Sequence, residues 1–256
     1  MHATAGKRIA QAAAVRLDGV VRVLGGRRVL AGVELAVPNG GRVGIVGRSG
    51  AGKSTLLSIV AGLDEPDAGT VSVGGATAAP ARLARCALMP QRDCLLPWAT
   101  ALDNAAIARV NRGERRSEAR RRAAPLFTRF GLAGAERLRP AQLSVGMRQR
   151  VAFLRTLLAD KDVLLLDEPF AALDAITRAE LQEWLDGALR TERRTVLLVT
   201  HDVEEALLLC DRVAVLADGR VRTSFDVDVP RGGPRREVVT SPAFVDLRER
   251  ALEALE

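Results

Sequence analysis

A glycine-rich stretch in the first third of the chain has the residue types and spacing needed to hold phosphate. It consists of Gly47, Arg48, Ser49, Gly50, Ala51, Gly52, Lys53, Ser54 and Thr55. Backbone N–H groups can surround a phosphate only where side chains leave room, which accounts for the glycines. Lys53 supplies a compact cation for the outer phosphates, and the Ser54 hydroxyl is a suitable ligand for Mg²⁺. The stretch therefore predicts a nucleotide site that also binds Mg²⁺.

Two acidic residues, Asp167 and Glu168, follow an apolar run at residues 163–166. In an open parallel sheet, ligands lie beyond the carboxyl ends of the strands, at the edge where the glycine loop is also expected. Asp167 is therefore predicted to bind the Mg²⁺ held by Ser54. Glu168, one residue further, is predicted to polarise the water that attacks the γ-phosphate. The plainer alternative is an Asp-Glu pair that caps the next segment.

Two more polar residues end predicted strands. His201 follows the apolar run at residues 195–199, and its ring could hydrogen-bond the γ-phosphate or the attacking water. A lone histidine is more often structural or simply exposed. Gln91 follows a short strand-like run and could contact both Mg²⁺ and the water, although this pattern is weak by itself. Together these residues predict catalytic roles for Glu168, His201 and Gln91.

The elements that must position these side chains follow an α/β pattern. Short β-like runs between residues 15 and 37 alternate with glycine turns and predict antiparallel strands. A strand is predicted over residues 43–46, before the glycine loop, and a helix over residues 54–63, after it. A continuous apolar run such as 163–166 is typical of a parallel strand covered on both faces.

Residues 100–160 differ in character, because they contain little that reads as strand and include an apolar stripe with helical periodicity. Pro125 is expected to start a new helix or to kink the existing one. Gly74-Gly75, after a strand at residues 70–73, predicts a hairpin. The expected domain spans residues 15–225, with a helical subdomain inserted at about 92–160. Residues 226–256 form a C-terminal tail that ends in a helix over residues 242–255.

The charge of the chain, +7 with a pI near 10.4, raises the question of nucleic-acid binding. The excess is concentrated in Arg112, Arg115, Arg116, Arg120, Arg121, Arg122, Arg231, Arg235 and Arg236. Aromatic residues make up only 3% of the chain, with no tyrosine, so no platform for base stacking is evident. A solvated helix face or a surface beside anionic lipid explains the arginines equally well, and no nucleic-acid partner is expected. No apolar run approaches the roughly 18–20 residues that span a bilayer.

The sequence resembles the ATP-binding subunit of ABC transporters along nearly all of residues 15–225. The elements that carry the resemblance are Gly47–Thr55 (Walker A), Gln91 (Q-loop), residues 143–150 (signature), 164–169 (Walker B), 172–174 (D-loop) and His201 (switch histidine). They occur in the family's order. Residues 95–98, 174–178, 200–206 and 241–248 are similar to importers of nitrate, sulfonates, taurine and related small solutes.

The resemblance implies a P-loop NTPase (RecA-like) core with an antiparallel β subdomain and an inserted helical subdomain. It also implies ATP hydrolysis by a homodimer, or by a pair with another ABC subunit. ATP would lie between the Walker A loop of one subunit and Ser144 and Gly146 of the other, with Asp174 also near the nucleotide. The region around Gln91 and residues 95–110 would dock an integral-membrane permease. A periplasmic or extracellular solute-binding protein would take part indirectly, and the subunit would be peripheral at the cytoplasmic face of the membrane.

Two positions depart from the family pattern. Val145 replaces the first glycine of the signature, and a β-branched residue is unfavourable wherever φ is positive or backbones approach closely. Leu24 occupies the place of the aromatic residue on which the family usually stacks adenine, so selectivity for ATP over GTP is expected to be weak. Two alternatives therefore stay open: a weakly hydrolysing regulatory subunit, and a non-transport ABC ATPase that acts on nucleic acid or ribosomes.

Overall fold

Two β-sheets organise the residues that the computed structural model describes, which are 13–171, 173–192, 194–229 and 235–255. The strands are β1 (Ala13–Leu24), β2 (Arg27–Pro38), β3 (Arg42–Val46), β4 (Ala68–Val73), β5 (Cys86–Met89), β6 (Val163–Asp167), β7 (Thr195–Thr200), β8 (Arg212–Ala217) and β9 (Arg220–Asp226). The helices are α1 (Lys53–Ala61), α2 (Ala79–Arg85), α3 (Ala101–Asn111), α4 (Arg116–Arg129), α5 (Val145–Leu158), α6 (Ala175–Thr191), α7 (Val203–Leu209), α8 (Arg235–Val239) and α9 (Pro242–Glu253).

The larger sheet has six strands in the order β5-β6-β7-β3-β8-β9. The first five run parallel, and β9 pairs antiparallel with β8. Every residue of β6 and β7 is buried, as the continuous apolar runs predicted. Because parallel strands end at one edge, the residues that follow β5, β6, β7 and β3 are brought to the same side of the sheet.

The smaller sheet is antiparallel, in the order β2-β1-β4, which confirms the predicted β subdomain. Gly25 and Gly26 form the two-residue turn between β1 and β2, with φ of 55° and 79°. Two positive φ values are what a type I′ hairpin turn requires. The predicted short runs are in fact two continuous 12-residue strands, because register shifts within the pair absorb the irregular positions.

Two local predictions are wrong, the hairpin at Gly74-Gly75 and the start of a new helix at Pro125, whereas the alternative of a kink at Pro125 stays a prediction. After Gly74-Gly75, Val73 and Ala76 exchange backbone hydrogen bonds of 2.9 and 3.0 Å, and the chain then enters α2 without a second strand. Pro80 lies in the first turn of α2, where proline is tolerated and a missing N–H costs nothing. Helix α4 continues through Pro125. Burial of Ala123 and Phe127 on either side stabilises the helix against the lost backbone bond.

Helices α3, α4 and α5 lie between β5 and β6 in the chain and share one apolar core with a face of the large sheet. An aromatic cluster joins this insertion to α6. The ring of Trp184 lies 5.4 Å from that of Phe130 and 5.3 Å from that of Phe153, both edge to face. Such pairs add to the stabilisation from apolar burial, so the insertion is fixed to the core of the large sheet.

Four arginines of α4 form ion pairs with carboxylates of the helical insertion. Asp103 accepts hydrogen bonds from Arg120 and Arg116, which hold the pKa of this carboxyl well below its usual range. Glu118 pairs with Arg121 and Arg122 one turn away on the same helix. These contacts agree with a solvated, ion-paired helix face. Arg231, from the second predicted arginine group, lies outside the described residues.

The C-terminal helix α9 packs against α7. Its Phe244 is fully buried, and Arg248 pairs with Glu204 of α7 at 3.3 Å. Helix α7 begins two residues after His201. By packing against α7, α9 therefore supports the segment that carries the histidine. Residues 230–234 and 256 of the predicted tail lie outside the described residues. In the part of the chain that the structure describes, no helix combines the length and apolar character needed to cross a membrane.

Candidate active site

The glycine loop connects β3 to α1, and two of its glycines are required by close approaches. A Cβ atom at Gly47 would lie 2.7 Å from the carbonyl oxygen of Leu216. Gly52, which caps the N-terminus of α1, has φ of 97°, and a Cβ there would lie 2.9 Å from side-chain atoms of Val29 and Leu30. Larger residues would push β2 and β8 away from the loop. The loop therefore holds its N–H groups at the start of α1, where they can bind an anion.

Lys53 is the first residue of α1, and only 5% of it is exposed. Its ammonium donates to the carbonyl oxygens of Gly47 at 2.8 Å and Arg48 at 3.2 Å. It also lies 3.3 Å from a carboxylate oxygen of Glu168. A buried cation is therefore fixed inside the loop beside the acid at the end of β6.

Ser54 and Asp167 form the pair of oxygen ligands that Mg²⁺ prefers. The Ser54 hydroxyl donates to a carboxylate oxygen of Asp167 at 3.1 Å. Burial raises the pKa of Asp167, while the bond from Ser54 acts in the opposite direction. Across the described ranges, no group of three or more His, Cys, Asp or Glu could hold a metal. The pair fits Mg²⁺, which binds to few protein oxygens and completes its shell with water and phosphate oxygens.

Glu168 is the centre of the predicted catalytic group. One of its oxygens lies 3.2 Å from Nδ1 of His201 and accepts a hydrogen bond of 3.4 Å from Gln91. The other oxygen faces Lys53. The backbone of Glu168 has φ of 43°, a strained conformation for a residue with a side chain, and its N–H donates to Val199 of β7 at 2.8 Å. Such strain clusters at functional sites. The structure thus brings the three predicted catalytic residues together.

The signature residues lie at the N-terminus of α5. Ser144 caps this helix, because its hydroxyl oxygen accepts from the N–H of Met147 at 3.1 Å. Val145 is the first helical residue, is 40% exposed, and does not have a positive φ. A penalty from a positive φ is therefore absent at Val145, while the expected penalty from close approach of another backbone stays a prediction. A Cβ at Gly146 would contact Thr177 of α6 at 3.4 Å.

Asp174 caps α6 in a similar way, since its carboxylate accepts from the N–H groups of Ile176 and Thr177 at 3.1 Å each. The bonds from Thr177 are the main cause of the lowered pKa of Asp174. Ala172, part of the predicted D-loop, lies outside the described residues. Within the described chain, the hydrogen bonds of Ser144 and Asp174 do not reach the glycine loop. The side chains of Ser144, Asp174 and Ile176 are all exposed.

Sequence reasoning missed a buried carboxyl beside His201. Glu205 on α7 is 3% exposed and accepts a hydrogen bond of 3.0 Å from the Thr200 hydroxyl. Burial raises the pKa of Glu205 to about 8, and the negative charges of Asp202 and Glu168 also raise it, while Arg178 lowers it. Asp202 caps α7, and Glu205 follows it by three residues. That spacing, which is typical of a helix N-terminus, is the pattern that could have indicated Glu205.

Glu205→Gln should make stability less dependent on pH. The folded-state pKa of Glu205, about 8, lies above its ordinary value of 4.5, so the folded protein holds a proton that the unfolded chain releases. Stability from this group is therefore complete below pH 4.5 and is lost as pH rises towards 8. Thermal unfolding at pH 5 and pH 8 measures the effect. We expect the variant to lose less stability than the parent between these values; an equal loss would contradict the assignment of this carboxyl as protonated.

The arrangement of residues in this site defines a class of protein. A glycine loop at a helix N-terminus, a Ser–Asp pair suited to Mg²⁺, and a glutamate held by lysine, glutamine and histidine are the parts of a P-loop nucleoside triphosphate hydrolase. All of them lie at the carboxyl ends of the parallel strands of the large sheet.

Comparisons with known proteins identify the family. The ABC transporter family model matches residues 30–171. Aliphatic sulfonates import ATP-binding protein SsuB 2 of Pseudomonas aeruginosa is 44% identical over 246 residues, covering 96% of this chain and 87% of the relative. Formylaminopyrimidine import ATP-binding protein ThiZ of Halalkalibacterium halodurans is 45% identical over 188 residues, covering 73% of each.

A solved structure agrees with this result. The dimeric structure of a post-hydrolysis state of an ATP-binding cassette, bound to ADP and Pi, superposes with a TM-score of 0.72 at 30% identity. The match covers 86% of this chain and 100% of that chain. The chain therefore belongs to the ABC transporter family, as one of its ATP-binding, ATP-hydrolysing subunits. The predicted fold class and ATPase activity are confirmed.

Proposed function

We propose that this ATPase powers the import of a small solute as a dimer bound to a membrane permease. The observation that carries the catalytic part is the position of Glu168, whose two oxygens are held by Lys53 on one side and by His201 and Gln91 on the other. A carboxylate fixed in this way, one residue after the metal-binding Asp167, is placed to orient and deprotonate a water.

Each residue at the sheet edge then has a distinct role. The N–H groups of Gly47–Thr55 and the ammonium of Lys53 bind the phosphates. Ser54, Asp167 and Gln91 would hold Mg²⁺, which neutralises charge on the outer phosphates when bound. Glu168 takes a proton from the attacking water, and His201 keeps the carboxylate aligned. Leu24, at the end of β1, provides apolar contact to the base.

The second subunit completes the site. Ser144 and Gly146 lie at the exposed N-terminus of α5, which can present N–H groups and a positive dipole end to the γ-phosphate of the partner's ATP. Ser49 and Gly50 are exposed on the glycine loop, which leaves that side open to a partner. Asp174 belongs to the same dimer surface. Hydrolysis then requires closure of the dimer, and release of product reopens it.

The permease is expected to bind the helical insertion. Trp98, in the segment between Gln91 and α3, is 72% exposed, and tryptophan is enriched at the centres of protein–protein interfaces. The chain would lie at the cytoplasmic face of the membrane, with a solute-binding protein acting on the other side.

The arginines of α4 are paired with carboxylates of the insertion, which supports the expectation of no nucleic-acid partner. We also propose that residues 15–225 form the ATP-binding domain and that residues 226–256 form a tail.

The names of the relatives indicate only the class of solute. The two relatives carry the names of importers of aliphatic sulfonates and of formylaminopyrimidine, so related subunits serve different solutes. We place this chain with importers of small solutes of the nitrate, sulfonate and taurine kind. The identity of the solute is set by the permease and the binding protein.

Trp98→Asp should separate the chain from its permease without loss of basal ATPase activity. A charge at this exposed position removes apolar contact area and places an unpaired carboxylate in the interface. Co-purification with the co-expressed permease measures docking, and phosphate release measures activity. Leu83→Asp, at another exposed apolar position, is the matched control. Retention of the permease by the Trp98 variant would contradict the docking site, and recovery of nucleic acid in place of the permease would contradict the importer.

A further inference from the structure

A tight turn carries His201 from the end of β7 to the start of α7. The N–H of Asp202 donates to the Thr200 hydroxyl at 3.0 Å, so the residues on either side of the histidine are joined. One carboxylate oxygen of Asp202 also accepts from the N–H groups of Glu204 and Glu205, at 2.9 and 3.3 Å, and so caps α7. Asp202 is therefore the residue that sets where His201 lies relative to α7.

The other carboxylate oxygen of Asp202 faces Arg178 of α6. The distance to the guanidinium is 3.7 Å, and only 33% of the arginine side chain and 29% of the aspartate side chain are exposed. Because the pair is partly shielded from water, its attraction is stronger than that between fully exposed charges. A second nitrogen of the same guanidinium donates to the carbonyl oxygen of Leu173 at 3.1 Å. Arg178 therefore contacts the turn after β7 and the loop before α6 with one rigid, planar group.

The loop before α6 is the part of this contact that the proposed dimer reaches. Arg178 is four residues after Asp174, and its N–H donates to the carbonyl oxygen of Asp174 at 2.9 Å. The side chain of Asp174 is exposed, whereas Leu173 is buried in the core shared with the helical insertion. A partner that binds the exposed side of this loop therefore acts on a segment that is joined, through Arg178, to the turn of His201.

We infer that Arg178 is a positioning residue for ATP hydrolysis, which holds the turn of His201 in place against the loop that bears Asp174. This inference rests on the proposed roles of His201 and of the dimer, and it deepens both. Nδ1 of His201 lies 3.2 Å from the carboxylate of Glu168, a contact that a small displacement of the turn would break. Misplacement of a group at a reacting centre by about 1 Å is enough to lower a rate strongly. Arg178 acts through Asp202, so the alignment of Glu168 depends on where the loop that the partner binds is held.

Phosphate release by the full chain, measured against ATP concentration, tests this role. Arg178→Gln removes the attraction to Asp202 and should lower kcat about tenfold. KM should stay within about twofold of the parent, because the glycine loop and Lys53 are unchanged. Asp202→Asn keeps an oxygen that can cap α7 but loses the charge, and should give the same loss. Arg190→Gln is the control, since Arg190 lies on the same helix and pairs with Asp186 at 2.6 Å; it should hydrolyse ATP as the parent does.

His201→Ala, made in the parent and in Arg178→Gln, separates positioning from a general loss of stability. If Arg178 acts through the histidine, the double variant should turn over ATP at about the rate of His201→Ala alone. Losses that multiply, an unchanged kcat in Arg178→Gln, or an equal loss in Arg190→Gln would overturn the inference. In each of these cases the proposed role of His201 still stands if His201→Ala is impaired by itself. If His201→Ala alone hydrolyses ATP as fast as the parent, the proposed role of His201 is wrong and the inference falls with it.

Discussion

Glu168→Gln is expected to lower ATP turnover by about a hundredfold or more, while ATP binding stays close to that of the parent. The amide keeps the size of the side chain and can still contact Gln91 and His201, which hold the carboxylate at 3.4 and 3.2 Å. It cannot accept a proton from water. Loss of a negative charge beside the phosphates should also favour the ATP-bound state. The closed dimer, which needs hydrolysis to reopen, should therefore accumulate.

Phosphate release measures turnover in this variant, and size-exclusion chromatography with and without ATP measures the dimer. Glu205→Gln is the matched control, because it makes the same substitution in a buried glutamate near His201 that takes no part in the proposed chemistry. The control should hydrolyse ATP as the parent does. Turnover by the Glu168 variant within about tenfold of the parent would contradict its role as general base.

The meeting of these side chains at one edge could be predicted from the sequence because it follows from a topological rule. Asp167 ends β6, and Gln91 and His201 come after β5 and β7. Parallel strands bring their carboxyl ends to one edge of the sheet. The order of the strands in the sheet could not be predicted from the sequence. The placement of β7 between β6 and β3, which puts Glu168 next to His201, depends on packing between segments far apart in the chain.

The errors arose where local patterns were overruled by contacts from elsewhere in the chain. Pro125 predicts a new helix or a kink, but α4 is continuous at this position, where Phe127 is buried in the shared core. A positive φ at Val145 could not be tested from sequence, and the structure places this residue in the first turn of α5.

Sequence and structure agree most closely on Lys53. Lysine occurs only at positions 7, 53 and 161, in a chain with 38 lysine and arginine residues. The structure gives the reason for lysine at this place. Its ammonium lies at 2.8 and 3.2 Å from two loop carbonyls and 3.3 Å from Glu168, in a space where it is 5% exposed. A compact, strongly hydrated point charge fits this space, and the planar fork of arginine does not.

Lys53→Ala is therefore expected to lower ATP turnover by about a hundredfold or more, as loss of a preorganised charge at a reacting phosphate does. Unlike Glu168→Gln, it should also weaken ATP binding, because the cation contacts the phosphates in both the ground and the transition state. Titration calorimetry and phosphate release separate the two effects. Lys161→Ala is the control, since Lys161 donates to the carbonyl of Ala84 on the surface.

Lys53→Arg tests the steric part of the prediction. If positive charge alone were sufficient, this variant would hydrolyse ATP nearly as fast as the parent. We expect it to resemble Lys53→Ala, because a guanidinium cannot meet both loop carbonyls without displacing Gly47, which already lies against Leu216. High activity in Lys53→Arg would show that the loop can rearrange around a larger cation. The geometry of Gly47 and Gly52 would then not be the reason for lysine at this position.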